Sequence, residues 1–148
     1  SEPSVGTLQE YYRDDPAFAA YMTARFALTD EQTSFDKQEY KPQEMLKLAL
    51  THLPKITHEW AHSVIESYIN RVQGTMELEA GQWYNSQSWF VRSIESMPTQ
   101  ATSLYLLGMA ALKLNDTDRA CDLLSKSLLL DPDYKATHVN LGQRASSC

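Results

Sequence analysis

Residues 101–134 read ATSLYLLGMAALKLNDTDRACDLLSKSLLLDPDY, and residues 67–100 read SYINRVQGTMELEAGQWYNSQSWFVRSIESMPTQ. Laid one over the other, the two stretches place Gly108 on Gly74, Asn115 on Gly81, Ala120 on Ser86 and Leu124 on Phe90. Ser127 falls on Ser93 and Pro132 on Pro98. Continuing the same step, Leu141 and Gly142 fall on Leu107 and Gly108. A fixed period of this length marks stacked units, each too small to bury its own apolar face.

Within 101–134 the pattern is that of two helices joined by a tight turn. Gly108 lets a neighbouring helix approach closely, Ala120 and Ser127 do the same on the second helix, and Leu107 and Leu124 fill the space between. Asn115 and Asp116 turn the corner, and Pro132 blocks continuation and directs the chain into the next unit. The preceding unit ends its first helix at Gly81, a residue free to take the left-handed conformation that closes helices. The expected helices cover about 57–80, 82–96, 99–114, 117–130 and 134–144. The longest is expected to be capped by Thr57, with Trp60, Val64, Tyr68, Val72 and Met76 stepping along one face.

Upstream of the repeats, Asp15-Pro16 is a helix start, with Asp as N-cap and Pro pre-set at the first helical position. That helix is expected to run to about Leu28 and to bury Phe18, Tyr21, Met22, the Arg25 stem and Phe26. Residues 1–7 lack an apolar pattern, and 29–41 are polar enough to read as a linker. A helix from Pro42 to about His52 follows, with Met45, Leu46, Ala49, Leu50 and Leu53 on its apolar stripe, and Pro54 ends it. No window shows sustained period-two alternation, so the fold class is all-α. The expected organisation is an N-terminal arm over 1–41 and a helical domain over 42–148.

Here the chain resembles the tetratricopeptide repeat (TPR) family, built from 34-residue helix–turn–helix units. Residues 101–134 supply Leu104, Leu107, Gly108, Ala111, Ala120, Leu124, Ser127 and Pro132 at the family's characteristic positions, with aliphatic residues where aromatics are usual. Residues 67–100 supply Gly74, Ser86, Phe90, Ser93 and Pro98 but carry Asn70 and Gln73 where bulky apolar residues are usual. Residues 135–148 begin a third unit, to be read as a capping helix or as the start of a continuing array in a longer protein. The resemblance covers 67–148 and does not extend in register upstream of 67. It implies a helical solenoid with irregular N-terminal helices, acting as a non-catalytic protein–protein interaction scaffold or adaptor.

In this family the first helix of each repeat lines a concave groove. The resemblance carries that role onto Tyr68, Arg71, Thr75, Leu78 and Glu79, then Thr102, Tyr105, Met109, Leu112 and Lys113, and finally Ala136, Val139 and Gln143. The middle of this surface is apolar and aromatic, suited to an apolar or amphipathic peptide. Tyr105→Ala is expected to weaken partner binding with little change in melting temperature. The helix at 16–28 is an alternative occupant of the groove. A subset of the family grips acidic tails of chaperones through several Lys and Asn residues. The corresponding positions here, Arg71, Thr75, Leu106, Ala136 and Asn140, offer too few donors for a carboxylate clamp.

One catalytic motif competes with the scaffold reading. His58-Glu59-Trp60-Ala61-His62 matches H-E-x-x-H, which on a helix aligns two zinc ligands with a general base for hydrolysis. A third ligand is not evident, since neither His52 nor His138 has a supporting motif. The alternative home for the cluster is a helix start, with Glu59 complementing the dipole. The expectation is therefore no metal, no cofactor and no catalysis, with a zinc-dependent hydrolase as the rival.

Charge and composition narrow the partners. A formal net charge of -6 argues against nucleic acid, which needs clustered Lys and Arg. Eight of the acidic residues lie in 1–41 against four basic ones, so the bias sits away from the repeats. No apolar run is long enough to span a membrane, and no basic-then-apolar leader opens the chain. Cys121 and Cys148 make no disulfide framework or zinc set, and Cys121 is expected to be a small core residue. Cytoplasm is the expected compartment.

Overall fold

A computed structural model describes residues 15–27, 42–134, 137, 139, 140 and 148. Among them are six α-helices and no strand: α1 (Pro16–Ala27), α2 (Pro42–His52), α3 (Glu59–Glu79), α4 (Trp83–Ser96), α5 (Ala101–Lys113) and α6 (Thr117–Leu130). A short 3-10 turn, Leu53–Lys55, follows α2. The all-α class is therefore observed. The chain forms two compact units, Ser1–Val72 and Gln73–Cys148. The expected linker at 29–41 and most of the expected helix at 134–144 lie outside the described residues.

In the first unit Asp15 caps α1, its Oδ1 accepting from the Phe18 amide at 3.1 Å. The buried face of α1 differs from the expected one. Ala19, Ala20, Thr23, Ala24 and Ala27 are buried, while Phe18, Tyr21 and Met22 are half-buried and Arg25 is exposed. The Phe26 side chain lies outside the described residues. Small residues at i, i+1, i+4, i+5 and i+8 form one continuous face. α1 packs along α2, and close approach favours this flat face, leaving the bulky side chains on its flanks. Thr23 satisfies its buried hydroxyl on the Ala19 carbonyl at 2.7 Å.

On α2, Met45, Leu46 and Ala49 are buried as the stripe requires, but Leu50 is exposed. Pro54 ends the helix in the 3-10 turn, and the buried Ile56 closes it by donating its amide to the Leu53 carbonyl at 3.1 Å. The expected stripe on α3 also changes. Val72 is buried, yet Trp60 is 63% exposed. Each four-residue step overshoots a 3.6-residue turn by about 40°, so the series from 60 to 76 winds around the helix rather than along it.

The second unit repeats itself in hydrogen bonds as well as in letters. Gly81 donates its amide to the Leu78 carbonyl at 3.1 Å and Gln82 to Glu77 at 2.8 Å; one period later, Asn115 donates to Leu112 at 3.0 Å and Asp116 to Ala111 at 2.9 Å. Gly81 and Asn115 both have left-handed backbones, φ 78° and 60°. These are two copies of one helix-closing turn, in which the paired amides satisfy the last carbonyls of the helix. The second helices close alike, Met97 donating to Ser93 at 3.1 Å and Asp131 to Ser127 at 3.0 Å.

Packing follows the same step. A Cβ on Gly74 would lie 2.6 Å from the Phe90 ring, and one on Gly108 3.2 Å from the Leu124 side chain. The core joins Phe90, Leu104, Leu107, Ala110 and Leu123. Buried Ser93 lies 2.7 Å from Ser103, hydroxyl to hydroxyl, and Ser127 lies 3.1 Å from Thr137. Ser127 also reaches the Ala101 carbonyl at 2.7 Å.

Two sequence expectations fail in this unit. Cys121 is half-buried on α6 rather than in the core, and it forms a disulfide with Cys148, with the Cα atoms 5.6 Å apart. Its neighbour Ala120 takes the core position, which turns Cys121 to the rim of the helix. Trp83 is 38% exposed, and Tyr84 beside it is 78% exposed.

Candidate functional site

The candidate interface in the second unit lies on α5. Thr102, Tyr105, Met109 and Leu112 follow one another at spacings of three and four, which aligns them on one face, and all four are half-buried. Their neighbours on the opposite face, Ser103, Leu104, Leu107, Gly108, Ala110 and Ala111, are buried and hold the helix in place. Of the residues expected to extend this surface from α3, Thr75 is half-buried and Leu78 packs against the core cluster. Glu79 is exposed at the helix end, as is Lys113 on α5.

Tyr105 is tied into the fold. Its ring meets that of Tyr134 edge-on, with centroids 5.3 Å apart and planes at 78°. Its hydroxyl accepts from the Asn140 side-chain amide at 3.1 Å. The expectation that Tyr105→Ala leaves stability nearly untouched is therefore revised, because the substitution removes an aromatic contact and the acceptor of the Asn140 amide. Val139, next to Asn140, is exposed. Ala136 and Gln143 lie outside the described residues, as does His138.

Tyr68 and Arg71 belong to the first unit and form a cluster of their own. The Tyr21 ring of α1 lies 5.1 Å from the Tyr68 ring at 42°, and the Arg71 guanidinium lies over Tyr68 at 4.8 Å. Burial pushes the Tyr68 phenol above its ordinary pKa, Tyr21 adding to the shift and Arg71 and Arg25 opposing it. The phenol is accordingly neutral at physiological pH. Tyr68 is thus covered by α1 through Tyr21, and Arg71 is engaged on Tyr68. With Asn140 bonded to Tyr105, both Arg71 and Asn140 among the clamp positions already have intramolecular roles.

The H-E-x-x-H motif has a structural role that the sequence reading assigned to Thr57. His58 precedes the first residue of α3, and its Nδ1 accepts from the Ala61 amide at 3.3 Å while its carbonyl accepts from His62 at 2.9 Å. His58 is the N-cap of α3, satisfying one of the amides a helix start leaves open. Glu59 sits in the first turn, where the dipole favours a carboxylate. Among the described residues, no cluster of three His, Cys, Asp or Glu side chains could hold a metal ion.

Several surface features escaped the sequence reading. Trp60, Tyr84 and Leu129 are the most exposed large apolar side chains among the described residues, Leu129 at 82%. The Arg92 guanidinium covers the half-buried Trp89 ring at 4.7 Å. Ser103 and Thr137 are also one period apart, a signal available in the sequence but hidden because serine in a helix reads as a small spacer. No helix among the described residues is long and apolar enough to cross a membrane. No protein-family model matches the chain, and no curated protein matches it.

Proposed function

We propose that this chain is a non-catalytic scaffold of the TPR kind, which binds a protein or peptide partner on the first-helix face carrying Thr75, Thr102, Tyr105, Met109, Leu112 and Val139. The observation that carries the reading is the return, one period on, of the left-handed turn at Gly81 and Asn115 together with its two amide bonds. A unit repeated in backbone detail presents the same helix face each time, which is how repeat proteins build extended binding surfaces. The half-buried tyrosine, methionine and leucine on α5 suit an apolar or amphipathic segment, since aromatic and thioether groups supply contact area with adaptable shape.

For the compartment, the Cys121–Cys148 bridge favours oxidising surroundings, where disulfides persist, over the cytoplasm suggested by the sequence.

The test uses Met109→Glu and Leu112→Lys, two changes on the α5 face outside the Tyr105 contacts. Affinity capture from native extract compares each variant with the wild type after their melting curves are shown to agree. A protein retained by the wild type and lost with both variants supports the reading. Identical retention by all three removes this face as the binding surface.

A further inference from the structure

Among the described residues, the chain after α6 meets the rest of the second unit through Tyr134, Thr137, Asn140 and Cys148. Buried Thr137 lies 3.1 Å from the Ser127 hydroxyl. Tyr134 meets Tyr105 edge-on, and Asn140 donates to the Tyr105 hydroxyl. The fourth attachment is covalent, from Cys148 to Cys121 on α6. The three non-covalent contacts are individually small beside the conformational entropy of ordering such a segment. The covalent one removes that freedom from the alternatives available to the chain. It is also within reach of reagents, since Cys148 is exposed and Cys121 only half-buried.

We propose that the Cys121–Cys148 disulfide is a redox clasp: closed, it holds Tyr134 and Asn140 against Tyr105, and opened by a dithiol it releases them and reshapes the α5 face. Its consequence for binding rests on the reading of that face as the partner surface. The chemistry balances as thiol–disulfide exchange. A thiolate of the dithiol attacks one sulfur of the bridge, forming a mixed disulfide and expelling the other cysteine as thiolate. The second thiol of the reagent then attacks the mixed disulfide and leaves as part of a cyclic disulfide. Two electrons and two protons pass to Cys121 and Cys148, and the dithiol is oxidised by the same amount. An oxidised dithiol reverses the exchange.

Opening the clasp acts on named atoms. The Tyr105 hydroxyl loses the Asn140 amide, its ring loses the Tyr134 edge, and Ser127 keeps the Ala101 carbonyl when Thr137 departs. α5 itself remains packed through Leu104, Leu107 and Ala110, so the change is confined to its half-buried face. Pre-organisation of that face is lost, and with it part of the affinity for any partner that uses it.

The experiment compares the full chain in three states: oxidised, reduced with dithiothreitol and capped with iodoacetamide, and as the Cys121→Ser/Cys148→Ser variant. Amide exchange at Tyr134 and Thr137 should accelerate roughly tenfold or more in the second and third states, with α5 changing less than about twofold. Tyr105 should become more reactive toward tetranitromethane in the same two states. Equal protection of Thr137 in all three states overturns the proposal, as does finding both thiols free in protein purified without reductant. Capture on the α5 face is then measured oxidised and reduced. Loss of protection with weakened capture supports the whole proposal, whereas unchanged capture overturns the link to binding. Loss of protection with nothing captured in either state upholds the clasp and overturns the scaffold reading.

Discussion

Ser93 on α4 and Ser103 on α5 share a buried hydroxyl–hydroxyl hydrogen bond of 2.7 Å, made across the turn that links one helical pair to the next. The same place one unit later is taken by Ser127 and Thr137. Hydroxyls in a dry junction hold helices in one register, because a slide breaks a hydrogen bond between two buried polar groups. Ser127→Ala should therefore lower stability by about 1–3 kcal/mol, read from urea unfolding. The double change Ser93→Ala/Ser103→Ala should be milder than the sum of its singles, since both singles delete the same hydrogen bond.

The two equivalent glycines should respond differently to a methyl group. At Gly74 the added carbon meets the fully buried Phe90 ring, which has nowhere to go. Gly74→Ala should lower stability by about 1–3 kcal/mol. At Gly108 the contact is with the branched tip of Leu124, which can yield by a few tenths of an ångström. There the gain in helix propensity offsets the crowding, and Gly108→Ala should stay within about 1 kcal/mol of the wild type. Thermal melts of the two variants side by side decide this.

Tyr105→Phe keeps the edge contact with Tyr134 and deletes only the acceptor of Asn140. A loss of about 0.5–1.5 kcal/mol is expected, with a clearly larger loss for Tyr105→Ala. Chemical denaturation of both variants checks the order.

At the start of α3, His58→Asp replaces an imidazole cap with a carboxylate, a better acceptor for the Ala61 amide and better matched to the helix dipole. The melting temperature should rise. A fall would mean that the ring makes contacts beyond its Nδ1.

His52 gives a pH signature. Its Nε2 is buried with no hydrogen-bond partner among the described residues, and burial, helped by Lys55, holds its pKa below the usual 6.5. The unfolded chain then binds the proton more readily than the folded one. Stability from this group is present above pH 6.5 and is lost as the pH falls through the folded pKa. Melting temperatures taken between neutral and mildly acidic pH should fall, and His52→Gln should flatten that slope.

Elements bounded by proline, glycine, asparagine or aspartate were legible in the sequence, because those residues act through their own backbone or a nearby amide. Asp15, Pro42, Pro54, Gly81 and Asn115 each sit at the boundary their chemistry implies. What depends on meeting a distant residue was not. The small face of α1 outranked Phe18, Tyr21 and Met22 because α2 comes close. The Ser93–Ser103 bond was hidden because a serine within a helical pattern gives no sign of its partner, and Cys121 and Cys148 meet only once the chain returns after α6. The candidate face on α5 came from the family resemblance, and the engagement of Tyr105 by the distant Asn140 was not visible in the sequence.

The shared turn at Gly81 and Asn115 makes the number of units an adjustable quantity. Each pair of helices is closed by its own amides, and each junction is made between one unit and its successor at a constant offset. One further unit inserted after Gln100 would hand the Ser93 hydroxyl to the newcomer's counterpart of Ser103, and the newcomer's counterpart of Ser93 to Ser103 itself. No bond in the rest of the unit would need to change hands. Growth by duplication is therefore open to this architecture without redesign of what is already there.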